Sequence, residues 1–227
     1  MAIGVRQQRG EATRNEILTV ARRLFSDFGY HNTGISDIQS ATGLTKGAFY
    51  HHFRAKQELA LAVLEAARND YTRHLIAPAK AQPTPGQRLS MMLVCAANLN
   101  GRPEWLNCRL LATLCAEVTA ADGPLVEAVR GVQEQILDTL EQMVTEAQTS
   151  GEAAPGSPQV WAQLALSTMM GLLLVRKIGA SRADPGDVLL QLRRGLLPGL
   201  ELPSDPPPEP KSRIPRRVQP VAEAELY

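Results

Sequence analysis

Apolar residues recur every three or four positions along most of the chain, which is the spacing of one face of an α-helix. The first such segment follows Thr13 and Glu16, a pair spaced like an N-terminal capping box, and Gly29 is positioned to end it. We therefore predict a first helix from Thr13 to about Phe28. Its apolar positions are Ile17, Val20, Ala21, Leu24, Phe25 and Phe28.

Residues 36–56 predict two short helices joined by a tight turn. Ser36 and Gln39 have the spacing of a capping box for the first helix, and Gly43 suits the left-handed conformation that ends it. Thr45 is the expected N-cap of the second helix. The result is a helix-turn-helix, which occurs in DNA-binding proteins and also as a plain corner in other helical domains. The turn alone leaves both alternatives open.

The rest of the ordered chain predicts six more helices. One runs from Lys56 towards Leu75, and prolines at positions 78, 83 and 85 interrupt the helical pattern after it. Five helices follow, and the fourth of them, opened by Ser157, is apolar on more than one face. Such a helix must be buried on several sides, which fits either a subunit interface or the central core helix of a monomer. The predicted fold is all-α.

Charge is distributed unevenly, although the net charge of the 227 residues is only +1. Residues 1–56 hold eight Lys or Arg against four Asp or Glu, whereas residues 57–202 hold twelve against fifteen. The positive charge therefore lies with the helix-turn-helix, where contacts to DNA phosphates would require it.

The candidate chemistry is sparse. Three cysteines without paired spacing fit a reducing cytosol, and no N-terminal apolar segment resembles a signal peptide. The most apolar run, Met169 to Val175, is too short to cross a bilayer. The four histidines lack metal-site spacing, and the sequence contains neither a phosphate loop nor a nucleophile motif. We therefore expect a cytoplasmic protein with no enzymatic activity, metal, cofactor or membrane partner.

The helix-turn-helix and its surroundings resemble the DNA-binding domain of TetR-family repressors over about Glu11 to Tyr71. A turn, a Tyr-x-His-Phe-x-x-Lys tail and the preceding helix occur together at the family spacing. The matching positions are Gly29, Tyr30, Thr33, Ile38, the run from Ala41 to Phe53, Lys56 and Leu59. The resemblance implies an N-terminal helix-turn-helix three-helix domain and a C-terminal helical domain for ligand binding and dimerisation.

Periodicity and resemblance together divide the chain into four parts. We expect a flexible basic arm over residues 1–10 and a TetR-type helix-turn-helix DNA-binding domain over residues 11–71. A helical effector-binding and dimerisation domain would occupy residues 72–202. Residues 203–227 hold seven of the sixteen prolines and little apolar pattern, which predicts a disordered Pro-rich tail.

The resemblance also implies roles for individual residues. Lys46 and Gly47 would face base edges in the major groove, and His51 would lie against the backbone or a thymine methyl. Phosphates would be bound by Thr33, Ser36, Thr45, Tyr50, His52 and Lys56. Two departures from the family pattern are Gly34, which often is threonine and would then contact a phosphate, and Gln39, which usually is alanine.

Candidate effector-binding residues lie mainly near the start of the second C-terminal helix, where polar and aromatic groups are mixed. They are Trp105, Asn107, Cys108, Arg109 and Thr168. The same cluster also fits a capped loop. Cys108 and Cys115 lie two helical turns apart on one face, where they fit either ordinary packing or sensing of oxidants and electrophiles.

These patterns, with the resemblance, predict a DNA-binding transcriptional regulator. We expect a homodimeric repressor that binds a near-palindromic operator on double-stranded DNA and is released by a small-molecule effector of unknown identity. In the family, the last two helices usually form the dimer. The alternative is a ligand- or redox-responsive interaction protein without a specific operator.

Overall fold

The computed structural model describes residues 2–98 and 105–200, excluding the side chains of residues 2–7, 98, 105–108 and 177. Every regular element in these ranges is helical, so the predicted all-α fold is confirmed. The elements are α1 (Ala2–Phe28), α2 (Ile35–Thr42), α3 (Lys46–His52), α4 (Lys56–Tyr71), a π-helical turn (Thr72–Ile76), α5 (Ala77–Lys80), α6 (Pro85–Asn98), α7 (Trp105–Glu117), a 3₁₀ turn (Ala120–Asp122), α8 (Pro124–Thr149), α9 (Pro158–Lys177) and α10 (Pro185–Leu196).

Helix α1 begins at Ala2, so the helix start predicted at Thr13 is wrong, and residues 2–10 are helical rather than irregular. The Thr13 hydroxyl donates to the carbonyl oxygen of Arg9 at 3.0 Å, as threonines inside helices do. Gly10 obscured the helical pattern, because glycine costs about 1 kcal/mol relative to alanine in a helix interior. The prediction for the tail at residues 203–227 lies outside the described residues.

Helices α1 to α4 enclose a small aromatic core, and we call this unit the N-terminal domain. Phe25, Phe49 and Phe53 are fully buried, together with Ile17 and Ile38. The Phe49 and Phe53 ring centroids lie 6.3 Å apart. The burial of both phenylalanines fixes which side of α3 remains outside.

One nearly continuous helical segment connects the N-terminal domain to the rest of the chain, which we call the C-terminal domain. Helix α4 passes through the π-helical turn into α5, and the Ala77 N–H donates to the carbonyl oxygen of Thr72, five residues back. Pro78 explains this turn, because it has no N–H and its ring crowds the preceding helical turn. The helix therefore extends past the predicted end near Leu75.

The C-terminal domain is a helical bundle in which α8 packs against α6, α9 and α4. Side-chain N-caps begin three of its helices, and the start predicted at Ser157 is confirmed. The Thr84 hydroxyl accepts from the Gln87 N–H at 3.2 Å, the Ser157 hydroxyl accepts from an N–H of α9, and the Asp184 carboxylate accepts from an N–H of α10. Helix α8, Pro124–Thr149, has 26 residues.

Helix α9 has an apolar stripe that the described chain leaves exposed. The stripe consists of Val160, Leu164, Leu174 and Val175, together with Ile178 at the C-cap. Residues Pro158–Arg176 are long and apolar enough to cross a membrane by length and composition alone, and 28% of this stretch is buried. The opposite side of α9 packs against α7, α8 and α10. A helix between a protein core and a subunit interface has the same composition.

Candidate nucleic-acid interface

The first helix of the motif begins differently from the prediction. The N-cap of α2 is Gly34, and the Asp37 carboxylate accepts from its N–H at 2.7 Å. The capping box predicted for Ser36 and Gln39 is therefore wrong. Both pairs have the same three-residue spacing, and the extended conformation of Gly34 decides between them. The Ser36 side chain stays exposed.

The turn between α2 and α3 matches the prediction closely. Gly43 adopts the left-handed conformation with φ of 68°, and the Leu44 N–H donates to the carbonyl oxygen of Gln39 at 3.2 Å. The Thr45 hydroxyl then accepts from the Ala48 N–H at 3.3 Å and starts α3. These bonds satisfy backbone groups at both helix ends, so the turn holds α3 in a defined direction.

Helix α3 presents a narrow polar face to solvent. It has seven residues and is thus about 10 Å long. Burial of Phe49 on one side leaves Lys46, Gly47, Tyr50 and His51 exposed on the others, with the Tyr50 side chain 41% exposed. A Cβ at Gly47 would meet no atom within 4 Å, so the backbone there is open to a partner. An exposed helix of this size fits the major groove of DNA.

Arg14 of α1 supports the far end of α3, a role that the sequence analysis missed. Its guanidinium donates to the carbonyl oxygen of His52 at 3.3 Å and lies 4.2 Å from the centroid of the Phe53 ring. A cation here compensates the partial negative charge of the helix C-terminus. Burial lowers the pKa of His52, and the nearby His51 and Arg14 lower it further.

Lys56 was expected to bind phosphate, but its ammonium group is turned towards the protein. The nitrogen Nζ donates to the carbonyl oxygens of Tyr30 at 3.0 Å and Thr33 at 3.2 Å. It also lies 4.4 Å from the centroid of the Tyr30 ring. Burial lowers the pKa of Lys56, whereas the carboxylates of Asp122 and Glu117 act in the opposite direction. In this conformation Lys56 stabilises the loop before α2.

Thr33 also departs from the expected role. Its side chain is only 2% exposed, and its hydroxyl donates to the carbonyl oxygen of Gly29 at 2.7 Å. The hydroxyl therefore closes the loop between α1 and α2 instead of facing solvent. A threonine near a helix start has the same sequence signature in both roles, so the pattern could not separate them.

Two of the five candidate effector residues, Arg109 and Thr168, have side chains that the structure describes. Arg109 forms an ion pair with Asp27 of α1. Thr168 is half-buried on α9, one turn after Leu164 of the exposed apolar stripe. The side chains of Trp105, Asn107 and Cys108 lie outside the described residues. The effector-binding cluster therefore stays a prediction.

A different groove lies on the C-terminal domain between α5, α6 and α8. Its volume is about 340 Å³, within the range of small-molecule sites. Arg88 donates to the Glu146 carboxylate at 3.2 Å across it. Its lining residues are Lys80, Arg88, Thr139, Gln142, Met143 and Glu146. No local sequence pattern indicates this groove, because its residues come from three separate helices.

Cys115 is placed for packing rather than for reactivity. Its sulfur accepts from the Gln133 side-chain amide at 2.8 Å, and burial raises the thiol pKa to about 11. Reactive cysteines require a lowered pKa and access to solvent. This observation disfavours the sensing interpretation for Cys115.

Comparison with known proteins gives consistent matches. The family described as "Bacterial regulatory proteins, tetR family" matches residues 17–63. The HTH-type transcriptional regulator LmrA of Bacillus subtilis (strain 168) is 33% identical over 125 residues, which cover 51% of this chain and 62% of LmrA. The match thus spans less than two thirds of that relative's length.

Solved structures share the whole fold. A TetR transcriptional regulator from Chloroflexus aurantiacus superposes with a TM-score of 0.72 at 26% identity, covering 82% of this chain and 94% of that one. AibR, in complex with isovaleryl coenzyme A and operator DNA, gives a TM-score of 0.68 at 22% identity over 82% of this chain and 98% of AibR. The N-terminal domain is therefore that of the TetR family of bacterial regulatory proteins, and the fold of the described chain is that of a TetR transcriptional regulator.

Proposed function

We propose that this protein is a DNA-binding transcriptional repressor that acts as a homodimer on a near-palindromic operator. The observation that carries the proposal is the exposed face of α3. Lys46 and Gly47 lie at its first turn, and Tyr50 and His51 continue the same exposed surface. A long basic side chain beside open backbone suits base edges in a major groove, and neighbouring polar groups suit phosphates.

The structure revises which residues would bind DNA. Lys46 and Gly47 remain the proposed base-reading pair, with Thr45, Ser36, Tyr50, His51 and His52 around them as backbone contacts. Lys56 and Thr33 are proposed instead to stabilise the loop before α2, because their polar groups bind carbonyl oxygens of that loop. These assignments predict that base readout and loop stability can be separated by mutation.

Dimerisation would use the apolar stripe of α9. Its exposed members extend over five turns, from Val160 to Ile178, and α10 packs beside it. In soluble proteins, exposed apolar patches rimmed by polar residues mark interaction sites. A two-fold dimer would place two α3 helices in successive major grooves, about 34–36 Å apart. The same pairing would account for the apolar composition of α9 without a membrane.

Small-molecule control is proposed for the C-terminal domain, residues 72–202. AibR is a member of the same fold with an acyl coenzyme A and operator DNA bound. The groove beside Arg88 and Glu146 is a polar candidate site in this chain. A ligand would release DNA only if it binds the dimer conformation that cannot span the operator more tightly than the conformation that can. We place the action of the protein in the cytoplasm, where such a regulator meets DNA.

The alternative, a redox- or ligand-responsive interaction protein without an operator, has less support. The raised pKa of Cys115 opposes thiol sensing there. LmrA and the Chloroflexus aurantiacus protein, to which this chain is similar, are both named as transcriptional regulators. A basic N-terminal region would also serve no evident purpose in a protein that does not bind nucleic acid.

Selection of bound fragments from a random duplex pool, at two salt concentrations, tests the proposal. We expect an enriched inverted repeat whose half-sites are about 10 base pairs apart, and an affinity that falls steeply with salt. The oligomeric state of the bound species is then measured by sedimentation. Enrichment of no sequence, with weak binding that depends only on salt, would exclude a specific repressor.

A further inference from the structure

A carboxylate of the C-terminal domain binds the loop that leads into the helix-turn-helix. Helix α7 ends at Glu117, and its oxygen Oε2 accepts from the backbone N–H of Tyr30 at 2.6 Å and of His31 at 3.4 Å. These amides follow the end of α1 and precede α2. Hydrogen bonds from two N–H groups to one ionised oxygen are charge-assisted, and are stronger than bonds between neutral groups.

Gly29 shapes the loop so that this contact can form. Its φ of +95° is a conformation that residues with a Cβ rarely adopt. A Cβ at Gly29 would also lie 1.9 Å from Oε1 of Glu117, so any other residue would displace the carboxylate. The sequence pattern explains Gly29 only as the residue that ends a helix. The structure adds a second reason for glycine, the close approach of Glu117.

A second set of contacts lies five residues further along, at the 3₁₀ turn. The carboxylate of Asp122 lies 3.4 Å from Nε2 of His31, and its backbone carbonyl accepts from the Gln57 side chain at 2.8 Å. Gln57 belongs to the first turn of α4. The N–H of Thr119 is the main cause that lowers the pKa of Asp122, so its carboxylate stays ionised. Residues 117–122 therefore contact both the loop and α4.

The loop is thus bound from two sides by opposite charges. Glu117 binds its amides, and Lys56 binds the carbonyl oxygens of Tyr30 and Thr33. Because α2 begins at Ile35, two residues after Thr33, the direction of the motif depends on where this loop is anchored. Helix α7 also packs against α1 and α4. The hydrogen bonds of Glu117 and Asp122 add specific contact points to that packing.

We propose that Glu117 is a positioning residue for DNA recognition, which fixes the direction of each N-terminal domain relative to the dimer. The inference rests on the proposed function, because it concerns two α3 helices on one operator. A dimer reads its half-sites only when both helices are correctly separated. Glu117 would act on this separation through the loop at Tyr30 and His31, without touching DNA. Its loss should therefore change the preferred spacing of half-sites more than the affinity for a single half-site.

The first experiment measures binding to a series of duplexes that carry the selected operator with its half-site spacing changed by one or two base pairs. For Glu117→Ala we expect affinity for the best spacing to fall roughly tenfold, within the range typical of coupling between sites. Affinity for the altered spacings should fall much less, and binding to a lone half-site should not change. Glu117→Gln keeps an acceptor oxygen and should give an intermediate result. Glu134→Ala, which removes an exposed carboxylate from α8, should behave as the wild type.

The second experiment does not involve DNA. Hydrogen exchange is measured at the amides of Tyr30 and His31 in the full-length wild type and in Glu117→Ala. We expect at least tenfold faster exchange at these two amides and unchanged exchange at Phe25, in the buried part of α1. Faster exchange at Phe25 as well would indicate that Glu117→Ala unfolds generally. Exchange at Tyr30 and His31 is then compared between the wild type and Glu117→Gln.

The outcomes separate the inference from the proposed function. Unchanged exchange at Tyr30 and His31 would overturn the contact even if the wild type binds its operator. Faster exchange with an unaltered spacing preference would overturn the positioning role. If the wild type enriches no operator, the proposed function fails and the positioning role fails with it, whereas the exchange result still decides whether Glu117 binds the loop.

Discussion

The ammonium nitrogen of Lys56 lies 3.0 Å from the carbonyl oxygen of Tyr30 and 4.4 Å from the centroid of the same residue's ring. One cation therefore binds both polar and aromatic parts of Tyr30, and a second hydrogen bond reaches the carbonyl oxygen of Thr33. This geometry ties the first turn of α4 to the loop before α2. It makes Lys56 a structural residue of the motif in this conformation.

We expect Lys56→Met to destabilise the N-terminal domain by about 1–3 kcal/mol, because hydrogen bonds to a charged group and a cation–π contact are lost. Urea unfolding followed by circular dichroism measures the change. Lys46→Met, at an exposed position of α3, should stay within about 0.5 kcal/mol of the wild type. The salt dependence of operator binding is the second readout. A slope lowered by about one in Lys56→Met would instead indicate a phosphate contact.

Arg14 gives a separate prediction for the far end of α3. We expect Arg14→Met to cost about 1–2 kcal/mol of stability, because the carbonyl oxygen of His52 loses a charged donor and Phe53 loses its cation. Arg23→Met changes an exposed arginine on the same helix and should cost little. Thermal unfolding of both variants at one protein concentration provides the comparison. Equal stability of the two would show that Arg14 does not support α3.

The local signals of the sequence predicted most of the fold. Gly43, Thr45 and Ser157 each have a preferred backbone conformation or capping bond that acts within a few residues, and all three occupy the predicted places. The error at Thr13 arose because a helix-capping residue is also tolerated inside a helix, where its hydroxyl bonds to the preceding turn. Tertiary packing, which the local pattern does not contain, decides such cases.

The candidate site was predicted less completely, because its polar contacts join residues distant in sequence. Lys46 and Tyr50 are exposed as expected, since their exposure follows from the burial of Phe49 on the same helix. Arg14 and Glu117 act on elements that are 38 and 87 residues away along the chain. Charge and spacing give no indication of such partners, so Lys56 was assigned to DNA although its partners are carbonyl oxygens.

His52 makes the stability of the protein depend on pH in a defined direction. Its pKa is lowered mainly by burial, so near its ordinary value the unfolded chain binds more protons than the folded one. Stability then falls as the pH falls through that ordinary value, about 6.5. We expect His52→Gln to lose less stability than the wild type between pH 7.5 and pH 5.5, as measured by urea midpoints. His51→Gln should also reduce the loss of stability between these pH values, but by less. It removes the charge of His51 beside His52, whereas the burial of His52 remains. Identical pH profiles for wild type and His52→Gln would contradict the assignment.

Cys115 should resist alkylation while the protein is folded. With a pKa of about 11, roughly one thiol in a thousand is ionised at pH 8, and only the thiolate reacts. We expect iodoacetamide to leave the Cys115 peptide unmodified over hours in buffer, as judged by mass spectrometry. The same peptide should react fully in guanidinium, which serves as the control. Rapid modification of the folded protein would restore the redox-responsive alternative.

Lys46 should determine sequence preference rather than overall affinity. It occupies the first position of α3, is exposed, and stands beside the open backbone of Gly47. A lysine that donates to a base edge discriminates its base pair by about 1–3 kcal/mol. We expect Lys46→Ala to relax the preference at one position of each half-site in the selection experiment, and to lower operator affinity more than affinity for random DNA. Arg130→Ala removes a positive charge from an exposed position of α8, far along the chain from α3, and should leave the selected sequence unchanged. An unchanged sequence for Lys46→Ala as well would assign base readout to another residue of α3.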